Sequence, residues 1–160
     1  MDRLYWMAVK HNNLITRDRR LGDRMGLDIF ESNDLMLVAR GIERIGDHAV
    51  RIARNAQLSA EDEEKLGAGD RIKELSTEAM GILERGMDSL FRKYIEETNE
   101  VIDTGSEVVR RCEKFGQGLR TEDSREAIIT NMVLDSIIRS TMYGIDIAEI
   151  AINGAMRKGK

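Results

Sequence analysis

The chain has 160 residues, 41% of them hydrophobic and 34% charged, and its 25 basic and 29 acidic residues give a formal net charge of −4. It contains no proline, nine methionines and only 4% aromatic residues. Such a composition argues against a turn-rich β-sandwich and is typical of packed aliphatic helices. The acidic balance and the few aromatic side chains also argue against direct nucleic-acid binding, which needs basic and base-stacking surfaces.

Apolar residues recur at steps of three and four along almost the whole chain, which predicts an all-α protein of long antiparallel helices. Ser32 and Thr98 are predicted N-caps, Asp123 with Glu126 forms a predicted capping box, and a third helix is expected to start near Ser59. The five predicted helices cover residues 2–21, 32–57, 59–94, 98–118 and 123–156.

The sequence lacks two kinds of segment that would direct a protein into or across a membrane. No apolar run approaches the roughly 18 residues of a membrane-spanning helix, and no signal peptide opens the chain. The only cysteine, Cys112, can form no disulfide within the chain and is expected to be a buried, unreactive side chain. We therefore expect a cytoplasmic protein that is peripheral to a membrane at most.

The second and fifth predicted helices share a pattern when the chain is shifted by 99 residues. The shift indicates two repeats of three helices, in which the first repeat lacks its first helix. Residues 1–58 would then form a partial first repeat and residues 59–160 a complete second one, packed as one helical unit. The matched pairs are Leu35 and Leu134, Arg40 and Arg139, Asp47 and Asp146, and Ala49 and Ala148.

Two carboxylates stand one turn apart on the second predicted helix, Glu43 and Asp47. Their oxygens suit hard cations such as Mg²⁺, Ca²⁺ or Mn²⁺, or iron, although Arg44 and Arg51 can equally neutralise them as surface ion pairs. His48 is interpreted as a ligand, a hydrogen-bonded polar residue or an exposed one.

No catalytic arrangement is recognisable elsewhere in the sequence. Neither His48 nor His11, which is interpreted as a core-edge residue, follows a glutamate by three positions, so the ligand pair of di-iron bundles is absent. The short glycine pair at residues 67–69 is not a phosphate-binding loop. The sequence predicts that the protein is not an enzyme.

The run from Ala39 to Asn55 resembles the signature helix of the PhoU family of phosphate-uptake regulators. Its core reads Glu-Arg-Ile-Gly-Asp-His-Ala over residues 43–49, followed by an Ile-Ala step. A degenerate second copy begins at Arg139, and the opening residues from Asp2 are similar to the end of the acidic motif in the first repeat. The family is built from two three-helix repeats of the up-down bundle type, and this chain resembles an archaeal-type or N-terminally truncated member.

This resemblance implies a non-enzymatic regulator that links a phosphate ABC transporter to a sensor kinase. It also implies a divalent metal or an iron cluster, with Glu43 and Asp47 as ligands, Asp2 as a further partner and Asp146 as the counterpart in the second unit. Met142 departs from the motif, because it stands where the second copy needs its first carboxylate.

Two alternatives remain open: a metal-binding helical buffer or sensor, and a structural dimerisation module whose metal site has lapsed. The helix count makes a separate prediction. Five helices cannot complete two three-helix bundles, so the first two should leave an apolar groove uncovered. Such a groove predicts a homodimer or a higher homo-oligomer.

Overall fold

The computed structural model describes residues 2–60, 68–92, 94–120 and 124–158. Within these ranges the chain forms six α-helices and no strand, which confirms the all-α prediction. No helix of these ranges is long and apolar enough to cross a lipid bilayer. The helices are α1 (Asp2–Arg17), α2 (Arg19–Met25), α3 (Ile29–Ala60), α4 (Gly69–Arg92), α5 (Ile95–Gly118) and α6 (Ser124–Lys158).

The longest helix, α6, lies at the centre of the packing. Helices α3, α4 and α5 each pack along α6, α4 and α5 also pack on one another, and α1 packs on α3. Helix α3 runs antiparallel to α6, since Asp34 near its start pairs with Arg157 and Arg51 near its end pairs with Asp135. The core between α4, α5 and α6 consists of Leu75, Ala79, Ile82, Val101, Val108, Cys112, Val133, Leu134, Ile137 and Ala148.

The start of α3 differs from the prediction. The helix begins at Ile29, and Ser32 is buried inside it rather than capping it. The Asp28 carboxylate accepts the amide N–H of Glu31 at 2.8 Å, and the Glu31 carboxylate accepts that of Asp28 at 3.0 Å. This reciprocal pair satisfies two of the unpaired N–H groups at the helix start, so no cap is needed at Ser32.

The predicted cap at Thr98 is also wrong. Helix α5 begins at Ile95, and Thr98 is buried within it, where its hydroxyl donates to the carbonyl of Tyr94 at 2.6 Å. A threonine hydroxyl can bond back along a helix as well as cap one, so residue type alone does not separate the two roles. The preceding helix, α4, ends at Arg92 rather than near residue 94.

A short helix that the sequence analysis did not predict, α2, lies in the connection after α1. Asp18 interrupts the predicted helix and caps α2 by accepting the amide N–H of Arg20 at 3.0 Å. Gly26 ends α2 in the left-handed conformation at φ 67°, which glycine adopts without strain. The predicted start of a new helix at Ser59 is wrong, because Ser59 lies within α3, which ends at Ala60, and the next helix begins at Gly69. The predicted Asp123 cap and residues 61–67 lie outside the described residues.

Glycine allows a close crossing of α4 and α6. A Cβ atom added to Gly86 of α4 would lie 2.6 Å from the carbonyl oxygen of Gly144 on α6. Because the obstacle is backbone, no side-chain rotation can relieve the clash. By contrast, a Cβ at Gly41 of α3 would lie 3.7 Å from the Cδ1 atom of Ile147, an ordinary van der Waals distance.

We therefore predict opposite effects for two buried helical glycines. Gly86→Ala should lower the free energy of unfolding by about 2 kcal/mol, because α4 must move away from α6. Gly41→Ala should leave that free energy unchanged or raise it by up to ~1 kcal/mol, the gain in helix propensity. Urea denaturation followed by circular dichroism measures both, and equal effects of the two substitutions would contradict the close crossing.

Candidate functional site

The signature residues of α3 lie between two helices. Gly41 is buried against Ile147 of α6. On another side of α3, the sulfur of Met36 accepts a hydrogen bond from the Asn12 side chain of α1 at 3.6 Å. Glu43 lies two turns after Met36 and so on the face that α1 covers.

The two predicted carboxylate ligands on α3 differ in exposure. The Glu43 side chain is 16% exposed, whereas Asp47, one turn further along α3, is exposed. Glu43 lies 3.7 Å from the Arg44 guanidinium, which is half exposed. An ion pair at this distance and exposure neutralises a carboxylate only weakly. Glu43 and Asp47 therefore present carboxylate oxygen atoms at the edge of the contact between α1 and α3.

The other two predicted ligands do not join this pair. Asp2 is exposed in the first turn of α1, where the helix dipole favours a negative charge. Asp146 lies on α6, and desolvation of its carboxyl raises the pKa of Asp146 above its usual value. No hydrogen bond or ion pair connects any two of the four predicted ligands within the part of the chain that the structure describes.

A multinuclear metal cluster does not fit the described residues. Nowhere in residues 2–60, 68–92, 94–120 and 124–158 do three histidine, cysteine, aspartate or glutamate side chains come together to hold a metal ion. Two carboxylates on one helix suit a single, largely hydrated cation such as Mg²⁺, which commonly uses one or two carboxylates and several waters. The assignment of Glu43 and Asp47 as ligands thus stays a prediction.

A polar network beside the signature helix was missed by the sequence analysis. Arg51 of α3 donates to the Asp135 carboxylate of α6 at 3.1 Å, and Arg139 lies 3.7 Å from the same carboxylate. Arg139 carried a signal in the sequence through the repeat, and Arg51 was considered only as a partner of Glu43 and Asp47. Asp135 was not recognisable, because its partner is 84 positions away in the chain. Arg51 therefore pairs with α6 and not with the carboxylates of its own helix.

His48 lies at the edge of this network. Its ring centroid is 6.2 Å from that of Tyr143, and its Nδ1 atom is buried without a hydrogen-bond partner in the described structure. Burial lowers the pKa of His48 below 6.5, against the opposing effect of the Asp135 carboxylate. The imidazole is therefore neutral at pH 7 and half-buried, which excludes the interpretation of His48 as a fully exposed residue.

Cys112 is a core residue, as predicted. It is fully buried, and burial raises the pKa of its thiol to about 11. A thiol with this pKa is almost wholly protonated at pH 7, and burial removes it from substrates and metals. It contributes packing and no nucleophile.

Comparison with known protein families gives a match over about a third of the chain. Residues 1–56, which include α1, α2 and most of α3, match the model of the PhoU domain family. The matched region contains the whole signature run from Ala39 to Asn55 and confirms the resemblance found in the sequence. No curated protein and no solved structure matches the chain.

The environment of His48 predicts its titration. Its midpoint, measured by NMR of the ring protons, should lie below 6.5, and Asp135→Asn should lower it further by removing the carboxylate that favours the imidazolium. Because the unfolded chain binds the proton more tightly, the contribution of His48 to stability is complete above pH 6.5 and is lost as the pH falls through the folded pKa. A midpoint above 6.5, or an upward shift in the variant, would contradict this environment.

Proposed function

We propose that this chain, a member of the PhoU family over residues 1–56, is a non-enzymatic regulator of phosphate uptake. The observation that carries the proposal is the signature run on α3, which lies within the matched region. The family is a regulatory and non-enzymatic one, and its domain indicates a role in phosphate homeostasis. The helical architecture of the described residues agrees with this assignment.

The regulator acts by binding other proteins. Its partners are a phosphate ABC transporter, a sensor kinase, or both, and it works in the cytoplasm beside the membrane component. Two apolar side chains of α1 support a binding role, because Leu4 and Trp6 are both more than half exposed. Of the long helices in the described structure, α1 packs closely only on α3. Exposed apolar clusters of this kind mark interaction surfaces.

The chemistry of the described residues also supports binding rather than catalysis. The Cys112 thiol is buried and protonated, and the neutral His48 has no hydroxyl or thiol bonded to it. The polar contacts of Arg51, Asp135 and Arg139 lie beside the signature helix, and the Arg51–Asp135 pair connects α3 to α6.

A deletion strain tests the regulatory function. Loss of the gene should derepress the phosphate-starvation genes in abundant phosphate, because the repressing partner contact is gone, and the wild-type gene should restore repression. The measurements are a starvation-gene reporter and radiolabelled phosphate uptake. Unchanged reporter and uptake in the deletion strain would contradict the proposal.

The association with a partner is tested separately. The tagged chain should co-purify with a component of the phosphate transporter or with a sensor kinase, and the amount recovered should change between phosphate-rich and phosphate-starved cells. Mass spectrometry with isotope-labelled lysates quantifies the change. Recovery of neither partner under both conditions would contradict docking as the mechanism.

A second candidate function is a metal buffer or sensor, and the pair Glu43 and Asp47 favours it. The protein purified without chelator should then carry a divalent metal or iron, and Glu43→Ala with Asp47→Ala should remove at least half of it. The matched control is Glu96→Ala with Glu100→Ala, which removes two exposed carboxylates one turn apart on α5. Elemental analysis by mass spectrometry measures the metal.

The control distinguishes the remaining interpretations. Equal metal loss in both double variants indicates nonspecific binding by surface carboxylates, and absence of metal in the wild type contradicts the metal function. A chain without metal, without effect on phosphate genes and with stable self-association would instead be a structural dimerisation module with a lapsed site.

A further inference from the structure

A row of basic side chains runs along the outer side of α1. Arg3, Lys10 and Arg17 follow one another at steps of seven residues, so they share one side of the helix over about 21 Å. All three are exposed, and none of them is ion-paired within the described part of the chain. Trp6, the only tryptophan of the chain, is 63% exposed beside them. We call Arg3, Lys10 and Arg17 the basic row.

The basic row faces away from the contact between α1 and α3. On the packed side of α1, the Asn12 side chain donates to the Met36 sulfur of α3 at 3.6 Å, and Ile15 is buried. Lys10 and Arg3 lie about 140° and 120° around the helix from Ile15. The basic row therefore takes no part in holding α1 on α3.

Helix α5 carries carboxylates along its own outer side. We call the acidic row a set of exposed residues at steps of four and three, Glu96, Glu100, Asp103 and Glu107. The row extends over about 16 Å of one side of the helix. Glu107 pairs with Arg110 on the same helix at 2.5 Å, an exposed contact that contributes little, and the other three form no ion pair among the described residues.

The two rows occupy equivalent positions on their helices. Lys10 lies five positions before the buried Ile15, and Glu107 lies five positions before the buried Cys112. Helix α5 packs on both α4 and α6, and the acidic row nevertheless stays exposed. These positions are thus on the outside of a helix that has two packed neighbours. The exposure of the basic row therefore does not depend on how the apolar side of α1 is covered.

Opposite charge on the two rows indicates a contact between chains. Within one chain the rows are kept apart, because α1 packs on α3 whereas α5 packs on α4 and α6. Their lengths agree to within about one helical turn, and the long side chains of arginine and lysine span that difference. Two basic rows, or two acidic rows, would repel one another, so the complement of each row is the other row of a second copy.

We propose that the basic row of one copy of this chain binds the acidic row of a second copy. The charges select which surfaces meet, and Trp6 supplies the large apolar area that such contacts commonly depend on. The homo-oligomer predicted from the helix count then forms through charged outer sides of α1 and α5 and not through an apolar groove. This self-association does not rest on the role in phosphate regulation, and either can fail while the other stands.

Charge reversal tests the contact. Sedimentation velocity of the unmodified chain at low ionic strength should show self-association at micromolar concentration. The association should be lost in about 1 M salt, where the screening length is about 3 Å. One variant reverses the basic row, by Arg3→Glu, Lys10→Glu and Arg17→Glu. A second variant reverses most of the acidic row, by Glu96→Lys, Glu100→Lys and Asp103→Lys. Each should raise the dissociation constant about tenfold or more, because several ion pairs become repulsive.

A mixture of the two variants separates a specific contact from a general effect of charge. Each variant alone carries two rows of one sign and should stay monomeric. In the mixture, the intact basic row of the second variant meets the intact acidic row of the first, so association should return.

A matched control reverses three exposed cations of α4 that form no ion pair in the described structure, Lys73→Glu, Arg85→Glu and Arg92→Glu. It changes the net charge by the same amount as reversal of the basic row and should weaken association less.

The fluorescence of Trp6 gives a readout that needs no variant. Because Trp6 is the only tryptophan, its emission reports on the outer side of α1 alone. Quenching by acrylamide should become weaker as the concentration of the unmodified chain rises, and high salt should restore it. Unchanged quenching while the mass increases would place the contact elsewhere and overturn the proposal.

The proposal is also overturned if the unmodified chain is monomeric at low ionic strength or if its association survives high salt. A mixture of the two variants that stays monomeric, or an α4 control that weakens association as much as the basic-row variant, overturns it as well. Circular dichroism verifies that each variant is folded. A loss of phosphate regulation with intact self-association would leave the proposal standing and contradict only the proposed function.

Discussion

The packing of three helices around α6 is the constraint on which the rest of the structure depends. Its surface is used by α3, α4 and α5, and the contact with α4 is so close that backbone meets backbone at Gly86 and Gly144. The buried sides of α6 are small or apolar, and the buried hydroxyls of Ser136 and Thr141 donate to the carbonyls of Met132 and Ile137 in the preceding turn. The buried Thr130 hydroxyl has no hydrogen-bond partner in the described structure. This arrangement fixes α3, and through α3 it fixes the signature residues and α1.

Helix α6 is covered by neighbouring helices on more sides than α3, and this difference connects the fold to the proposed function. Both helices carry the same pattern in the sequence, yet α6 is buried among three others while α3 has one open side. An ion pair between Arg51 and Asp135 connects α3 to α6 near the end of α3, and because both side chains are more than 40% exposed it adds little stability. The signature carboxylates sit on a helix that packs along α6 and not on a loop.

The residues of the candidate site could be identified from the sequence, whereas their chemical environment was visible only in the structure. Glu43 and Asp47 could be identified from their spacing and from the signature run, because one turn of helix places them together whatever the tertiary fold. Asp146 could be identified only as a counterpart in the repeat, and no hydrogen bond or ion pair joins it to Glu43 or Asp47 in the described residues. The neutral state of His48 and its neighbours on α6 could not be predicted, since they arise from helices that are distant in sequence.

The sequence by itself determined the helical class and the approximate extent of the long helices, because both depend on local spacing along one helix. It also contains the signature run that lies within the match to the PhoU domain model over residues 1–56, whereas the repeat and the carboxylate ligands stay predictions. The predicted helix starts at Ser32 and Thr98 were wrong, and the helices begin at Ile29 and Ile95. Several polar residues near each start were suitable caps, and only the backbone geometry distinguished them. Tertiary structure alone decided which glycines permit close contact, which ion pairs cross between helices, and which apolar stripe stays open. Those properties depend on how one helix faces another, and that relation is not written in the periodicity of either helix.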